Sequence, residues 1–149
     1  MRDNRVGVLH GVNLDQLGRR PAEHYGGLTL AELEVQVGRF AHELGLEVRF
    51  DQTNHEGVYC ERLHEAAAMS DALLLNPGAW THYSYAIRDA LEIAGLPAVE
   101  VHLSDVSTRE NWRRTSVIAD LCIGTVSGKG VDGYRDGLKL LAAQLEQRG

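Results

Sequence analysis

Cysteine is scarce in this sequence, and no long hydrophobic run is present. The 149 residues include two cysteines, Cys60 and Cys122, without the clustered spacing of a metal site or a disulfide framework. No segment approaches the ~20 consecutive apolar residues of a membrane-spanning helix. Residues 1–11 lack the apolar stretch of a signal peptide. We therefore expect a cytoplasmic protein whose cysteines are reduced and buried.

Basic residues are also fewer than acidic ones. Lys and Arg number 15 against 21 Asp and Glu, so the formal net charge is −6. This balance argues against a nucleic-acid partner, which usually requires a basic face, and against an anionic membrane. An anionic small molecule remains an acceptable ligand, because a local arginine can override the global charge. The length fits one domain over residues 1–149, and 44% hydrophobic residues suffice for a core.

Short apolar runs alternate with amphipathic stretches along the chain. The apolar runs predict strands at residues 5–10, 46–50, 71–76, 97–103 and 119–128. The amphipathic stretches predict helices at residues 29–44, 58–69, 84–95 and 132–147. This alternation is typical of a parallel sheet with helices on both faces. We predict an α/β, flavodoxin-like, doubly wound fold of three α/β/α layers, with five strands in the order 2-1-3-4-5.

Polar side chains follow several of the predicted strands, where such folds bind their ligands. They are Asn13, Asn54, His55, Asn76, His82, His102 and Ser104. Residues 11–27, after the first strand, form a long glycine-rich loop that carries Arg20 and Tyr25, and a loop of this length is usually a lid or disordered. Each residue alone fits a structural role, such as a helix cap for Asn54 and His55. Their convergence at three strand ends indicates a binding site.

Two pairs of residues indicate acid and base chemistry. Glu100 and His102 lie two apart on a strand and share a face. A carboxylate beside a histidine orients the ring and favours its charged form, as a proton donor requires. A guanidinium such as that of Arg20 stabilises a phenolate, which would make Tyr25 a usable base. A strand-end salt link and a surface-packed tyrosine are the structural alternatives.

Three other patterns carry less weight. Residues 128–133, GKGVDG, match the glycine pattern of a dinucleotide site, but the strand and acidic residue that such a site requires do not follow. Close packing of strand on helix explains these glycines better. His55, Cys60 and His64 do not have the spacing of a closed zinc site. No G-x-S-x-G elbow of a serine hydrolase is present.

Four motifs lie in order along nearly the whole chain. They are GVNLDQLGRRPAEHYG at residues 11–26, QTNHEG at 52–57, NPGAWTHYS at 76–84 and VEVHLS at 99–104. Together they resemble the motifs of the type II 3-dehydroquinate dehydratases, also called type II dehydroquinases. The chain departs from that pattern at Val12, where the family has Pro, at Pro21, where it has Glu, and in the segment 107–116, where Trp112 replaces Phe.

The resemblance implies the removal of water from 3-dehydroquinate to give 3-dehydroshikimate, without a cofactor or a metal. It assigns Tyr25 as the base, Arg20 as its partner and Asn13 as a donor to the enolate. It assigns His102, oriented by Glu100, as the proton donor to the departing hydroxyl. The substrate-binding residues would be Asn76, His82, Asp89, Leu103, Ser104 and Arg113. The reaction would belong to the shikimate route to aromatic amino acids or to quinate breakdown.

The resemblance also implies a dodecamer of four trimers, in which Asp89 reaches a neighbouring subunit's site. Lys129 and Lys139 lie away from the predicted strand ends, which argues against a lysine-imine mechanism.

Two other functions remain open. The altered segment 107–116 is compatible with a lyase for a different cyclic hydroxy-keto acid. A non-catalytic flavodoxin-like binding domain is the other, although retention of Tyr25 and His102 speaks against it.

Overall fold

The fold is built on one parallel sheet of five strands. The computed structural model describes residues 3–148. The strands are β1 (Arg5–His10), β2 (Glu47–Gln52), β3 (Ala72–Asn76), β4 (Ala98–His102) and β5 (Gly124–Ser127). They pair in the order β2-β1-β3-β4-β5, and every pair is parallel. The predicted strand order and flavodoxin-like architecture are confirmed.

Helices cover both faces of the sheet. They are α1 (Ala22–Tyr25), α2 (Leu30–Glu43), α3 (Glu56–Met69), α4 (Tyr85–Ala94) and α5 (Asp132–Arg148). Helices α2 and α5 pack on one face, where Leu33, Val37 and Leu138 are fully buried. Helices α3 and α4 pack on the other face, around Leu63 and Ile87. Strand β3 is buried at every residue because helices cover it on both sides.

The sequence-based prediction of the fifth strand was too long. Strand β5 covers only Gly124–Ser127, and Ala119–Leu121 form a 3-10 turn instead. The apolar side chains of Leu121 and Cys122 pack against the α3–α4 core from this turn. Their apolar character therefore reflects contact with the core, which a turn can provide as well as a strand.

The long loop after β1 has regular structure, although its composition suggested a structureless loop. Leu14–Arg19 form 3-10 turns, and α1 follows after Pro21. The side chains of Leu14 and Leu17 are buried in the α2–α5 core and anchor the loop. Tyr25, at the end of α1, is also buried, so the alternative of a surface-packed tyrosine does not hold.

The two cysteines, Cys60 and Cys122, are free but only half-buried, so the expectation that they are buried was wrong. Both lie at the margin of the α3–α4 core, where one side of the residue still meets solvent. Among residues 3–148, no helix combines the length and the apolar composition needed to cross a membrane.

Candidate active site

A polar cavity opens at the carboxyl ends of β1, β3 and β4. Its volume is about 110 Å³. The loop after β1 contributes Val12, Asn13, Leu14, Arg20 and Tyr25; the turn after β3 contributes Asn76, Gly78, Ala79 and His82; and the end of β4 and the segment beyond it contribute His102, Leu103, Ser104, Val106, Arg109 and Arg113. The cavity thus lies where the strand order of a doubly wound sheet predicts a ligand.

Glycine allows the ends of β1 and β3 to approach each other closely. A Cβ at Gly11 would lie 2.3 Å from the carbonyl oxygen of Pro77, and one at Gly78 would lie 2.7 Å from the carbonyl oxygen of Val12. Gly78 also has a φ of +66°, which side-chain-bearing residues rarely adopt. Because both positions are glycine, the two loops can lie against each other and form one wall of the cavity.

Asn13 occupies a left-handed conformation at the start of the first loop, with φ of 68°. The Oδ1 atom of Asn54 accepts a hydrogen bond from the Asn13 backbone N–H at 2.8 Å, and the Asn54 side-chain amide donates to Asp15 at 3.1 Å. Asn54 therefore ties the loop after β2 to the turn that presents Asn13. The expected helix cap is absent, because α3 begins after His55 without a side-chain cap.

Two guanidinium groups converge on the hydroxyl of Tyr25. Arg20 Nη2 donates to the phenolic oxygen at 2.5 Å, and Arg109 Nη1 donates to it at 2.6 Å. The Arg20 guanidinium also lies 4.0 Å from the centre of the tyrosine ring. Burial, together with the positive charges of Arg109 and Arg113, lowers the pKa of Arg20. Two positive charges so close to one oxygen stabilise negative charge on it.

His102 and Glu100 form a buried pair at the end of β4. His102 Nε2 lies 2.6 Å from Glu100 Oε2, and the carboxylate is fully buried behind the imidazole. Burial by itself raises the pKa of Glu100, but hydrogen bonds from His102, Thr81 and Ser116 outweigh burial and lower it. The carboxylate is therefore ionised at neutral pH, and the imidazole ring lines the cavity.

His82 is held by the segment that follows Arg113. Its Nδ1 donates to the backbone carbonyl of Thr115 at 2.7 Å, and its ring centre lies 6.4 Å from that of His102. Burial lowers the pKa of His82, and the nearby positive charge of Arg113 adds to this effect. A neutral His82 with Nδ1 protonated leaves Nε2 as a hydrogen-bond acceptor for a hydroxyl group.

Asn76 lines the cavity, but its side chain also has protein partners. Its Nδ2 donates to the hydroxyl of Tyr134 at 3.1 Å, and its Oδ1 accepts from the backbone of Gly78 at 3.1 Å. Burial raises the pKa of Tyr134 to about 12, so this hydroxyl stays protonated. The amide of Asn76 is therefore held in one orientation at the base of the cavity.

Comparisons with known proteins identify the family of this chain. The model of the family described as dehydroquinase class II matches residues 4–142. A 3-dehydroquinate dehydratase from Syntrophotalea carbinolica is 50% identical over 135 residues, which cover 90% of this chain and 91% of the relative. The chain belongs to the class II dehydroquinase family.

Solved structures show the same relationship. The crystal structure of a type II dehydroquinase from Propionibacterium acnes matches with a TM-score of 0.88 at 38% identity, over 95% of this chain and 98% of that one. A type II dehydroquinase from Butyrivibrio crossotus matches with a TM-score of 0.86 at 36% identity, over 96% and 97%. The fold and the family assignment therefore rest on sequence and structure together.

Most of the residues expected at the site from the sequence lie around this one cavity. Glu100 lies behind His102, and the exposed side of α4 carries Asp89, so neither lines the cavity of this chain. Asn54 and His55 also lie outside its lining. Lys129 pairs with Asp136 at 2.9 Å, away from the cavity.

Sequence reasoning assigned no role to four residues that the structure brings to the site. They are Thr81, Arg109, Ser116 and Tyr134. Thr81 lies inside the third motif, which was a usable signal, whereas Arg109 and Ser116 lie in the divergent segment 107–116. Tyr134 carried no such signal, because it reads as an ordinary apolar position of α5.

Proposed function

We propose that the chain dehydrates 3-dehydroquinate to 3-dehydroshikimate. The observation that carries the proposal is that one cavity holds a phenol contacted by two guanidinium groups and an imidazole backed by a buried carboxylate. These are the base and the acid that an elimination of water requires. The named relatives support the substrate, since they are 3-dehydroquinate dehydratases.

The proposed reaction has two proton transfers. The oxygen of Tyr25 takes the proton next to the ketone, and the electron pair of the broken C–H bond forms an enolate. Asn13 stabilises the enolate oxygen through a water molecule. When the enolate collapses, the C–O bond to the leaving hydroxyl breaks, and His102 protonates that oxygen so that water departs. The product is a conjugated enone.

The remaining lining residues would hold the substrate. We assign Asn76 and the backbone amides of Leu103 and Ser104 to the substrate carboxylate or a nearby hydroxyl. His82 and Arg113 would bind the ring hydroxyls. A neutral His82 suits this role, because its Nε2 can accept a hydrogen bond from a hydroxyl. No cofactor or metal is needed for these steps.

An absorbance assay tests the function directly. The conjugated enone product absorbs ultraviolet light, and 3-dehydroquinate does not. Purified protein should produce a rising absorbance when 3-dehydroquinate is added. Tight binding of 3-dehydroquinate without any rise in absorbance would instead support a non-catalytic binding domain.

A different cyclic hydroxy-keto acid is the second candidate substrate. Trp112 favours it, because this bulky residue replaces the Phe of the family pattern and its ring contacts that of His82, 5.3 Å away between centres. The side chain that contacts His82 is therefore larger than the one in the family pattern. Neither binding nor turnover of 3-dehydroquinate would favour this second candidate.

We further propose that residues 1–149 form one domain that assembles into a dodecamer of four trimers. Tyr85 and Ile93 lie two turns apart on α4, and their side chains are 68% and 70% exposed. Asp89 lies between them on the same face. Such an exposed apolar stripe supports a contact with another subunit, through which Asp89 would reach that subunit's cavity.

The free thiols of Cys60 and Cys122 are compatible with the cytoplasm.

A further inference from the structure

The carboxylate of Glu100 accepts hydrogen bonds from two hydroxyl groups as well as from His102. Ser116 Oγ donates to Oε1 at 2.7 Å, and Thr81 Oγ1 donates to Oε2, the oxygen that also contacts His102 Nε2. Thr81 and Glu100 are both almost completely buried. Thr81, Glu100 and Ser116 all lie outside the cavity lining, whereas His102 is part of it.

The hydroxyl of Ser116 can donate in only one direction. Its oxygen accepts hydrogen bonds from the backbone N–H groups of Ile118 at 3.3 Å and Ala119 at 3.1 Å. A serine hydroxyl has one proton and two lone pairs. Since both lone pairs are occupied, Ser116 can only donate to a further partner, and Glu100 Oε1 at 2.7 Å is a nearer acceptor than Thr81 Oγ1 at 3.1 Å.

The same reasoning applies to Thr81. Its hydroxyl lies 3.1 Å from Ser116 Oγ, which already accepts two hydrogen bonds, so the Thr81 proton goes to Glu100 Oε2. A protonated Glu100 would have no acceptor next to Oε1. Next to Oε2 the proton would have to go to His102 Nε2, and the ring nitrogen would then be unprotonated. Two hydroxyl donors on the carboxylate favour its ionised form over that neutral acid, in agreement with the lowered pKa of Glu100.

An ionised carboxylate has no proton to donate, so the ring nitrogen that faces it must carry one. We propose that Thr81 and Ser116 are positioning residues, which hold Glu100 ionised and thereby keep a proton on His102 Nε2. When the ring is charged, both nitrogens carry a proton, and Nδ1 is the one that gives its proton to the departing hydroxyl and returns to the unprotonated state. This inference rests on the proposed dehydration for its catalytic part, but not for the tautomer.

The two hydroxyls come from segments that also hold each other in place. The backbone carbonyl of Thr81 accepts from the backbone N–H of Val117 at 2.8 Å. Thr115, next to Ser116, accepts the hydrogen bond of His82 at 2.7 Å. The segment 115–117 therefore positions the proton donor and a substrate-binding histidine together. Ser116 therefore has a positioning function although it lies outside the cavity.

Nitrogen NMR of the resting enzyme tests the tautomer without any substrate. Solid-state spectra of protein labelled with ¹⁵N in its histidine rings, at a pH where the rings are neutral, separate protonated from unprotonated nitrogens. The His102→Asn variant identifies the His102 signals by their loss. We expect Nε2 protonated and Nδ1 unprotonated. The opposite tautomer in the wild-type protein would overturn the proposal.

Matched substitutions test the two hydroxyls. Thr81→Val keeps the shape of the side chain and removes the donor, whereas Thr81→Ser keeps the donor. Ser116→Ala and Ser116→Thr form the second pair. We expect Thr81→Val and Ser116→Ala to lower kcat by about 10- to 100-fold, the ratio for one lost hydrogen bond to a charged group. KM should change far less, and the variants that retain a hydroxyl should recover most of kcat.

The tautomer signal separates positioning from packing in these variants. In Thr81→Val and Ser116→Ala we expect a fraction of His102 to shift its neutral-ring proton from Nε2 to Nδ1. A loss of kcat with the wild-type tautomer would show a packing role and overturn the proposal, as would an unchanged kcat. If the wild-type protein does not turn over 3-dehydroquinate, the proposed function fails, and the wild-type spectrum still decides the tautomer.

Discussion

Arg109 donates a hydrogen bond to the hydroxyl of Tyr25 across 84 positions of sequence, with 2.6 Å between Nη1 and the phenolic oxygen. Arg20, only five positions from Tyr25, donates to the same oxygen at 2.5 Å. The segment that carries Arg109 is the one that departs most from the family pattern. That segment is therefore part of the surroundings of the proposed base.

Replacing Arg109 should impair the chemistry more than binding. In Arg109→Gln the phenolic oxygen loses one of two positive neighbours, so a negative charge on it is less stabilised. We expect kcat to fall about 10- to 100-fold, as for loss of one hydrogen bond to a charged group. Arg114→Gln is the matched control, because Arg114 is exposed and lies outside the cavity lining. Equal kcat in both variants would remove Arg109 from the mechanism.

Tyr25→Phe should abolish most of the turnover while 3-dehydroquinate still binds. The ring remains in the cavity, but the atom that accepts the proton is gone, and a positioned base contributes roughly 10²- to 10⁴-fold. Enone absorbance at saturating substrate and calorimetric binding measure the two effects separately. Tyr83→Phe, on an exposed tyrosine, serves as the control. Weak binding with normal turnover at saturation would contradict the role of Tyr25 as the base.

Glu100 should make folding stability depend on pH in the acid range. Its pKa in the folded protein lies below the ordinary value of 4.5, so the unfolded chain binds more protons between the two values. Its contribution to the free energy of unfolding is therefore complete above pH 4.5 and is lost as the pH falls through the folded-state pKa.

Urea unfolding at a series of acidic pH values measures this contribution. Glu100→Gln has no titrating group at this position, so its free energy of unfolding should vary less steeply below the ordinary carboxyl pKa. Glu146→Gln removes an exposed carboxylate outside the network and should follow the wild-type curve. A wild-type slope in Glu100→Gln would mean that the carboxylate does not gain its hydrogen bonds on folding.

Alanine at Gly11 should disturb both stability and activity. The added Cβ would lie 2.3 Å from the carbonyl oxygen of Pro77, so the ends of β1 and β3 would have to separate. We expect a loss of roughly 3 kcal/mol or more in the free energy of unfolding, at the upper end of typical single substitutions. Gly38→Ala is the control, because nothing lies within 4 Å of a Cβ there.

Gly38 lies inside α2, where alanine should stabilise the helix by about 0.5–1 kcal/mol. The two Gly→Ala variants should therefore change stability in opposite directions in the same denaturant experiment. Destabilisation of similar size at both positions would indicate that the close approach of Gly11 to Pro77 is not the reason why Gly11→Ala lowers the free energy of unfolding.

A charge on the outer face of α4 should break the proposed assembly. Ile93→Lys places an ammonium group on the apolar stripe with Tyr85, where a subunit contact would have to bury it at a high cost in desolvation. We expect light scattering coupled to size-exclusion chromatography to give a smaller particle for Ile93→Lys than for the wild type. Val35→Lys, on the exposed side of α2, should leave the particle unchanged. The same mass for Ile93→Lys and the wild type would argue against this face.

The local features of this protein follow from its sequence because neighbouring residues encode them. Alternating apolar runs predicted the strand order, since strands and helices bury characteristic faces. The pairs Arg20–Tyr25 and Glu100–His102 were expected because their members lie five and two positions apart. Strand β5 was predicted too long, because an apolar run does not reveal whether it meets the core as a strand or as a turn.

The sequence by itself determined the layered sheet, the location of the site at the strand ends and the two short-range pairs. Only the tertiary structure decided which distant groups complete those pairs: Arg109 on Tyr25, and Thr81 and Ser116 on Glu100. The physical reason is the separation along the sequence of the residues that interact. Periodicity and nearest neighbours specify helices and strands, whereas contacts between loops depend on the path that each loop takes after it leaves the sheet.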